Sequence, residues 1–203
     1  TSTSRGYGGG GVYIAENLTY TMNDGVIYSN QVKQTTHASG ENQVADDNSG
    51  GGVCTRGTFY MTGGSIGKTE NGTNYPNNTR LGGGVYVFTD GTFNMTGGEI
   101  VANTCANGGA GVYVYTGGTV TLENASIHHN ISSNHGGGIY TYGSVTATTG
   151  TNKIYNNQAT NSTSTRHGGG VWIGTAGSLV MANGEIYNNT ARSNGGGVYI
   201  DNN

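Results

Sequence analysis

Apolar positions along this chain recur in a fixed order. A run of glycines leads into an aliphatic residue and, two positions later, a second apolar one, as in Val12/Ile14, Val85/Val87, Val112/Val114 and Val171/Ile173. Eight and ten residues after the first aliphatic stands another pair, Tyr20/Met22, Phe93/Met95, Val120/Leu122 and Leu179/Met181. In two units this pair comes earlier, as Phe59/Met61 and Val145/Ala147. A single aliphatic then closes the unit: Ile27, Ile66, Ile100, Ile127, Ile154, Ile186. Residues two apart share one face of a strand, and no segment sustains helical periodicity. The pattern predicts three short strands per unit, each with one inward face.

Anchored on Val12, Val53, Val85, Val112, Ile139, Val171 and Val198, the units step by 41, 32, 27, 27, 32 and 27 residues. A base period of 27 falls among the solenoids and well short of the roughly 40–45 residues of a four-stranded propeller blade. No coil buries its own inward face, whereas a stack of coils makes a continuous core. The expectation is an all-β, single-stranded parallel β-helix, one domain over 1–203. Its six coils span roughly 30 Å at the usual interstrand spacing, and general backbone chirality makes it right-handed.

The glycines sit at the corner before the first strand, where a tight turn needs positive φ or close backbone approach. Ala110, in Gly-Ala-Gly, marks the middle position as tolerant of a methyl. A second ladder follows each third-strand aliphatic by three residues: Asn30, Asn103, Asn130, Asn157 and Asn189, with Thr69 in unit two. Asn bonds to backbone at turns, and stacked amides bond one coil to the next. The insertions, 31–49, 70–81 and 158–167, are expected as loops on one edge between this ladder and the next corner; the plain connections are 104–108, 131–135 and 190–194.

Composition narrows the picture. The chain has 203 residues, 40 of them Gly and 9% charged, with a formal net charge of -3. That balance gives no reason to expect nucleic acid or an anionic membrane as partner, and no apolar run is long enough to span a bilayer. The chain starts at Thr1 without Met or signal peptide, which reads as processed or excised from something longer. Cys54 and Cys105 are too few for a disulfide framework, fit no zinc pattern, and hold unmatched places in the repeat.

The residue after each anchor is Tyr13, Cys54, Tyr86, Tyr113, Tyr140, Trp172 and Tyr199, and two further on stand Phe88, Tyr115 and Tyr142. Strand alternation turns these away from the core. Three roles compete for the resulting aromatic stripe: a structural ladder, an assembly interface, or a flat platform for sugar rings. The second strands face outward with Thr, as at Thr19/Thr21, Thr92/Thr96 and Thr119/Thr121, in ranks similar to ice-binding solenoids but interrupted by Tyr60, Asn94 and Val180. Asn-x-Ser/Thr acceptor patterns occur at Asn17, Asn71, Asn77, Asn94, Asn124, Asn130, Asn161 and Asn188.

The pairing of GG[GA][VI] with I-x-x-N along the whole chain resembles the GG[AG][ILV] and F-x-x-N repeats of polymorphic outer-membrane proteins and related bacterial surface adhesins. It is similar, too, to the Gly/Thr/Asn-rich β-helix arrays on large cell-surface proteins of gut bacteria. Ile replaces the family Phe, and no membrane barrel, sorting signal or anchor is present in the sequence. The resemblance implies an exported, surface-displayed passenger with adhesive or scaffolding work, and brings no catalytic residues.

The chemistry-bearing residues fit that expectation. Paired catalytic carboxylates need about 5–10 Å separation; Glu99 and Glu185 hold equivalent places three coils apart, roughly 14 Å by the strand spacing. Glu123 lies on another segment, and Asp46, Asp47 and His37 share the longest loop. His135 and His167 precede successive corners and should stack, with His128 and His129 nearby on a third strand; they read as solvated turn residues, and no metal or other cofactor is expected. The GGGV runs lack the Lys-Ser/Thr of a phosphate loop. The expected function is non-catalytic: an extracellular stalk or adhesin segment acting on surface glycans or proteins. The alternative is a filament subunit whose partner is itself, since both ends stop in partial repeats without polar caps. A carbohydrate-active enzyme or an ice-binding solenoid stands below both.

Overall fold

The computed structural model describes residues 8–32, 49–160 and 165–201; the loop residues His37, Asp46, Asp47 and Asn161 lie outside them. The described chain is all β, without a helix, winding as a parallel β-helix. Three long parallel sheets carry the predicted strands. Sheet A has seven, from Val12–Ile14 to Val198–Ile200; sheet B has six, from Thr19–Met22 to Ser178–Met181; sheet C has six, from Val26–Ile27 to Glu185–Tyr187. Pairing follows the repeat residue for residue: Val85 on Val112, Phe93 on Val120, Ile100 on Ile127. Phe59 and Met61 stand in register with Phe93 and Met95 despite their shorter spacing from the anchor.

The inward residues of the three sheets form one core running through the stack, with Val53, Phe59, Met61, Ile66, Phe93, Ile100, Ile127 and Val145 fully buried. Stacking holds even within it: the rings of Phe59 and Phe93 lie parallel, 4.9 Å apart. The first glycine of the corners at Gly50, Gly82, Gly109, Gly136, Gly168 and Gly195 has φ between 61° and 68°, a left-handed conformation costly for residues with a Cβ. The second and third glycines answer to crowding instead. A Cβ on Gly84 would fall 2.6 Å from the carbonyl oxygen of Gly111. Ala110 does carry a methyl, and the hydrogen bonds from Gly109 and Ala110 to the next coil lengthen to 3.4 and 3.3 Å.

Two expectations change. A fourth parallel sheet, D, of five short strands joins the three: Asn78–Leu81, Thr104–Gly108, Ile131–Ser132, Gln158–Ala159 and Thr190–Ala191. The plain connections 104–108, 131–135 and 190–194 are therefore partly ladder rather than loop, because hydrogen bonds such as Ile131 N to Asn103 O repeat there from coil to coil. The insertion placed at 70–81 is an antiparallel hairpin, Lys68–Glu70 with Thr73–Tyr75, followed by a strand of sheet D. The hairpin precedes the Asn ladder instead of following it. Asn71-Gly72 at its tip, at φ 51° and 77°, is the two-residue signal for a tight hairpin turn and could have been read from the sequence.

Candidate functional site

The Asn ladder is a continuous chain of buried amides. In each central coil, Nδ2 donates to the aliphatic carbonyl of the preceding coil and to Oδ1 of the next Asn, while Oδ1 accepts the backbone N–H and Nδ2 of the Asn before. Asn130 donates to Ile100 O at 2.9 Å and to Asn157 Oδ1 at 3.0 Å, and accepts from Asn103 N and Nδ2 at 3.0 and 3.1 Å. Asn30 opens the ladder and Asn189 closes it. In the second coil the member is Asn77, not Thr69: Asn77 donates to Ile27 O and Asn103 Oδ1, whereas Thr69 lies in the hairpin and bonds to Asn74. The inserted hairpin pushes the ladder residue eight positions along the chain. Asn77 and Asn130 are fully buried, so neither is a glycan acceptor in the folded chain. Asn17, Asn71, Asn124 and Asn188 are exposed at turns, each at positive φ, and Asn94 is half-buried on sheet B.

The aromatic stripe points away from the main core, as alternation requires, but it does not face water. Tyr86, Phe88, Tyr113, Tyr140 and Trp172 are buried in a second cluster with Cys54 and Leu81, against which Tyr115, Tyr142 and Tyr199 pack half-buried. Tyr86, Tyr113, Tyr140 and Trp172 stack at 4.9, 4.9 and 4.1 Å. Each ring face is spent on the neighbouring ring, since the planes lie across the long axis of the stack. Sheet D closes the side: Leu81, Gly108, His135 and His167 stand just ahead of the corner glycines, with His135 stacked on Trp172 and His167 on Tyr199. Arg56 lies 3.8 Å over the Phe88 ring. Tyr13, in the first coil, is the exposed member. A sugar platform needs free faces, and the stacked column Tyr86, Tyr113, Tyr140 and Trp172 has none to offer; it is a ladder.

Sheet B has two outward columns: Thr19, Thr58, Thr92, Thr119, Ser144 and Ser178 form an unbroken run of hydroxyls, whereas Thr21, Tyr60, Asn94, Thr121, Thr146 and Val180 break the threonine rank at three of six coils. Cys54 and Cys105 are both buried thiols outside any disulfide. Burial pushes the Cys105 thiol up to about 11, its bond to Ser132 only partly offsetting this, which leaves it protonated and unreactive at neutral pH.

Among the described residues, two open clefts carry ionisable groups. One, about 330 Å³, is lined by Glu16, Arg56 and Asp90 among others; the other, about 280 Å³ in volume, lies between the hairpin and sheet C, lined by Thr69, Asn74, Glu99, Val101, His128 and His129. His128 Nε2 meets Glu99 Oε2 at 3.1 Å and His128 Nδ1 meets His129 Nδ1 at 2.8 Å. The bond from His128 holds the Glu99 carboxyl below its ordinary range, while burial and then His128 lower His129. Beyond it a second aromatic column, His128, Tyr155 and Tyr187, stacks at 4.7 and 5.0 Å. That column was legible as the residue following each third-strand Ile. Glu99 and Glu185 stand in one column with Ser126 and Lys153 between them, too far apart to act as a pair. Among the described residues no three His, Cys, Asp or Glu side chains converge on one point.

No family model, curated protein or solved structure matches this chain. The fold thus defines the class, a parallel β-helix solenoid, and function must be argued from the coils themselves.

Proposed function

We propose that the chain is a rigid, non-catalytic rod, the stalk or adhesin segment of an exported protein displayed on a cell surface. One observation carries this reading: the core, the amide ladder and the aromatic ladder run in register through successive coils. Side chains that elsewhere make binding sites are here spent on joining coil to coil, which resists bending and stretching along the axis. The GG[GA][VI] and I-x-x-N pairing supports export and display by its resemblance to surface passengers. Adhesion, where it occurs, falls to the hairpin edge rather than to the buried aromatic stripe.

Small-angle scattering with single-molecule pulling tests the proposal. A stiff rod of roughly 30 Å that resists force and yields in coil-sized steps is expected. A flexible particle, or turnover of a polysaccharide, overturns it. A second reading, a filament subunit, draws on the apolar residues exposed in the outermost coils, Val26 and Ile200 among them. Ordered filaments with an axial repeat of one molecule, seen by electron microscopy, would favour it over the stalk.

A further inference from the structure

We propose that His128 and His129 form a chelating site for a late first-row divalent transition ion, Cu(II) foremost, at the mouth of the cleft beside the hairpin. Consecutive residues of a strand point to opposite faces, and two neighbouring histidines would ordinarily diverge. Here they converge, because His129 leaves the strand in the left-handed conformation, φ 54°. The rings stand nearly perpendicular, at 81°, with the two Nδ1 atoms facing each other across a 2.8 Å hydrogen bond. Two nitrogens bound at about 2.0 Å and at right angles span roughly 2.8 Å, against roughly 3.3 Å at a tetrahedral angle, so the spacing suits the tetragonal preference of Cu(II) over that of Zn(II).

The far side of each ring is already held. Glu99 accepts from Nε2 of His128, the carboxylate–histidine–metal arrangement that fixes ring and tautomer, and Asn156 Nδ2 lies 3.4 Å from Nε2 of His129. Tyr155 stacks flat on the His128 ring. His129 itself is exposed, leaving an entry path and room for water at the remaining positions. In the metal-free chain one proton sits between the two Nδ1 atoms. Metal binding sends that proton to Nε2 of His129, where Asn156, its amide turned over, accepts it; no proton is lost. The protein supplies two donors, which agrees with the lack of any three-residue cluster among the described residues.

The same position in the next two coils is Asn156 and Asn188, both left-handed at φ 53° and 54°, so His129→Asn restores the repeat's own residue and should fold unchanged. The test is Cu(II) titration of the whole chain in a competing buffer, followed by electron paramagnetic resonance and by far-ultraviolet circular dichroism. One equivalent with hyperfine structure from two imidazole nitrogens is expected. His129→Asn should weaken this binding at least tenfold without altering the dichroism, and Glu99→Gln about tenfold. His167→Asn, which takes the residue of Asn194, should leave it intact. Equal binding by the parent and His129→Asn, an equal loss in His167→Asn, or a signal without two nitrogens would overturn the site.

Discussion

Asn130 sits mid-ladder with every polar atom of its side chain engaged and none exposed. Removing the amide leaves buried partners on both sides, the carbonyl of Ile100 and the backbone N–H of Asn103 among them, and an unsatisfied buried group costs about 1–3 kcal/mol. Asn130→Ala should therefore lower stability by about 4 kcal/mol, while Asn30→Ala, at the partly exposed first rung, should cost about 1 kcal/mol. Urea unfolding of the two variants checks the ratio; equal losses would mean that the ladder is not cooperative. The corner glycines divide in the same way. Gly84→Ala would drive a methyl onto the Gly111 carbonyl oxygen, Ile100 and Asn103 at once, at 2.6, 2.9 and 3.0 Å, and should cost about 3 kcal/mol. A methyl on Gly83 would meet the backbone carbonyl oxygens of Thr104 and Ala110 just as closely, but Ala110 carries a methyl at the same place in the next coil, where the backbone spacing has adjusted, so Gly83→Ala should cost less, about 1 kcal/mol. Thermal midpoints separate the pair.

At the scale of strands and columns, sheets A, B and C were legible because each presents apolar residues at alternate positions. Sheet D was not. Its inward column is Thr79, Cys105, Ser132 and Ala159, all small and two of them polar, yet buried, so no hydrophobic rhythm marks it. The aromatic stripe was legible in position but not in cover, since neither ring-on-ring spacing nor the residues lying beside the rings follow from alternation. The ladder residue of coil two was misplaced because a hairpin intervenes. Sheet D also ends in a pH-sensitive seam. His135 Nδ1 accepts the backbone N–H of His167 at 3.0 Å, so protonation of His135 breaks a bond between coils. Burial first, then the charges of His167 and Arg166, lower His135, with Asp201 opposing. The folded chain thus resists a proton that the unfolded chain accepts near pH 6.5. Stability should be complete above that pH, fall as the pH drops through the lowered value, and level off below it. His129, also lowered, adds to the same slope, while Glu99 contributes only at more acid pH because its folded value lies below the carboxylate range. Denaturation midpoints at pH 7.5 and 5.0 should differ in the parent, and His135→Leu, taking the residue of Leu81, should narrow the difference. An unchanged difference would remove His135 from the account.

Across the whole molecule, the coil that is buried in the middle of the stack is open at its outermost members. Tyr20, in the core column of sheet B in the first described coil, and Val198 and Ile200, in the core columns of sheet A in the last, are 36, 38 and 70% exposed. Ile200 is in register with the core residue Ile173, so it occupies a core column with no coil beyond it among the described residues. Unpaired parallel edges with apolar inward residues are templates for a further strand, of the same chain or of another copy. A solution of the 203-residue chain should therefore associate end to end with rising concentration, and sedimentation velocity should show a ladder of rods rather than compact dimers. Ile200→Lys places a charge in that column and should return the chain to monomer, whereas Tyr60→Ser, on the flank of sheet B, should leave association unchanged. Association that Ile200→Lys spares, or a parent that stays monomeric throughout, would mean the open coils do not recruit partners. If association is lost with Ile200→Lys, the in-register columns that stiffen one molecule also set the geometry by which the rod is lengthened.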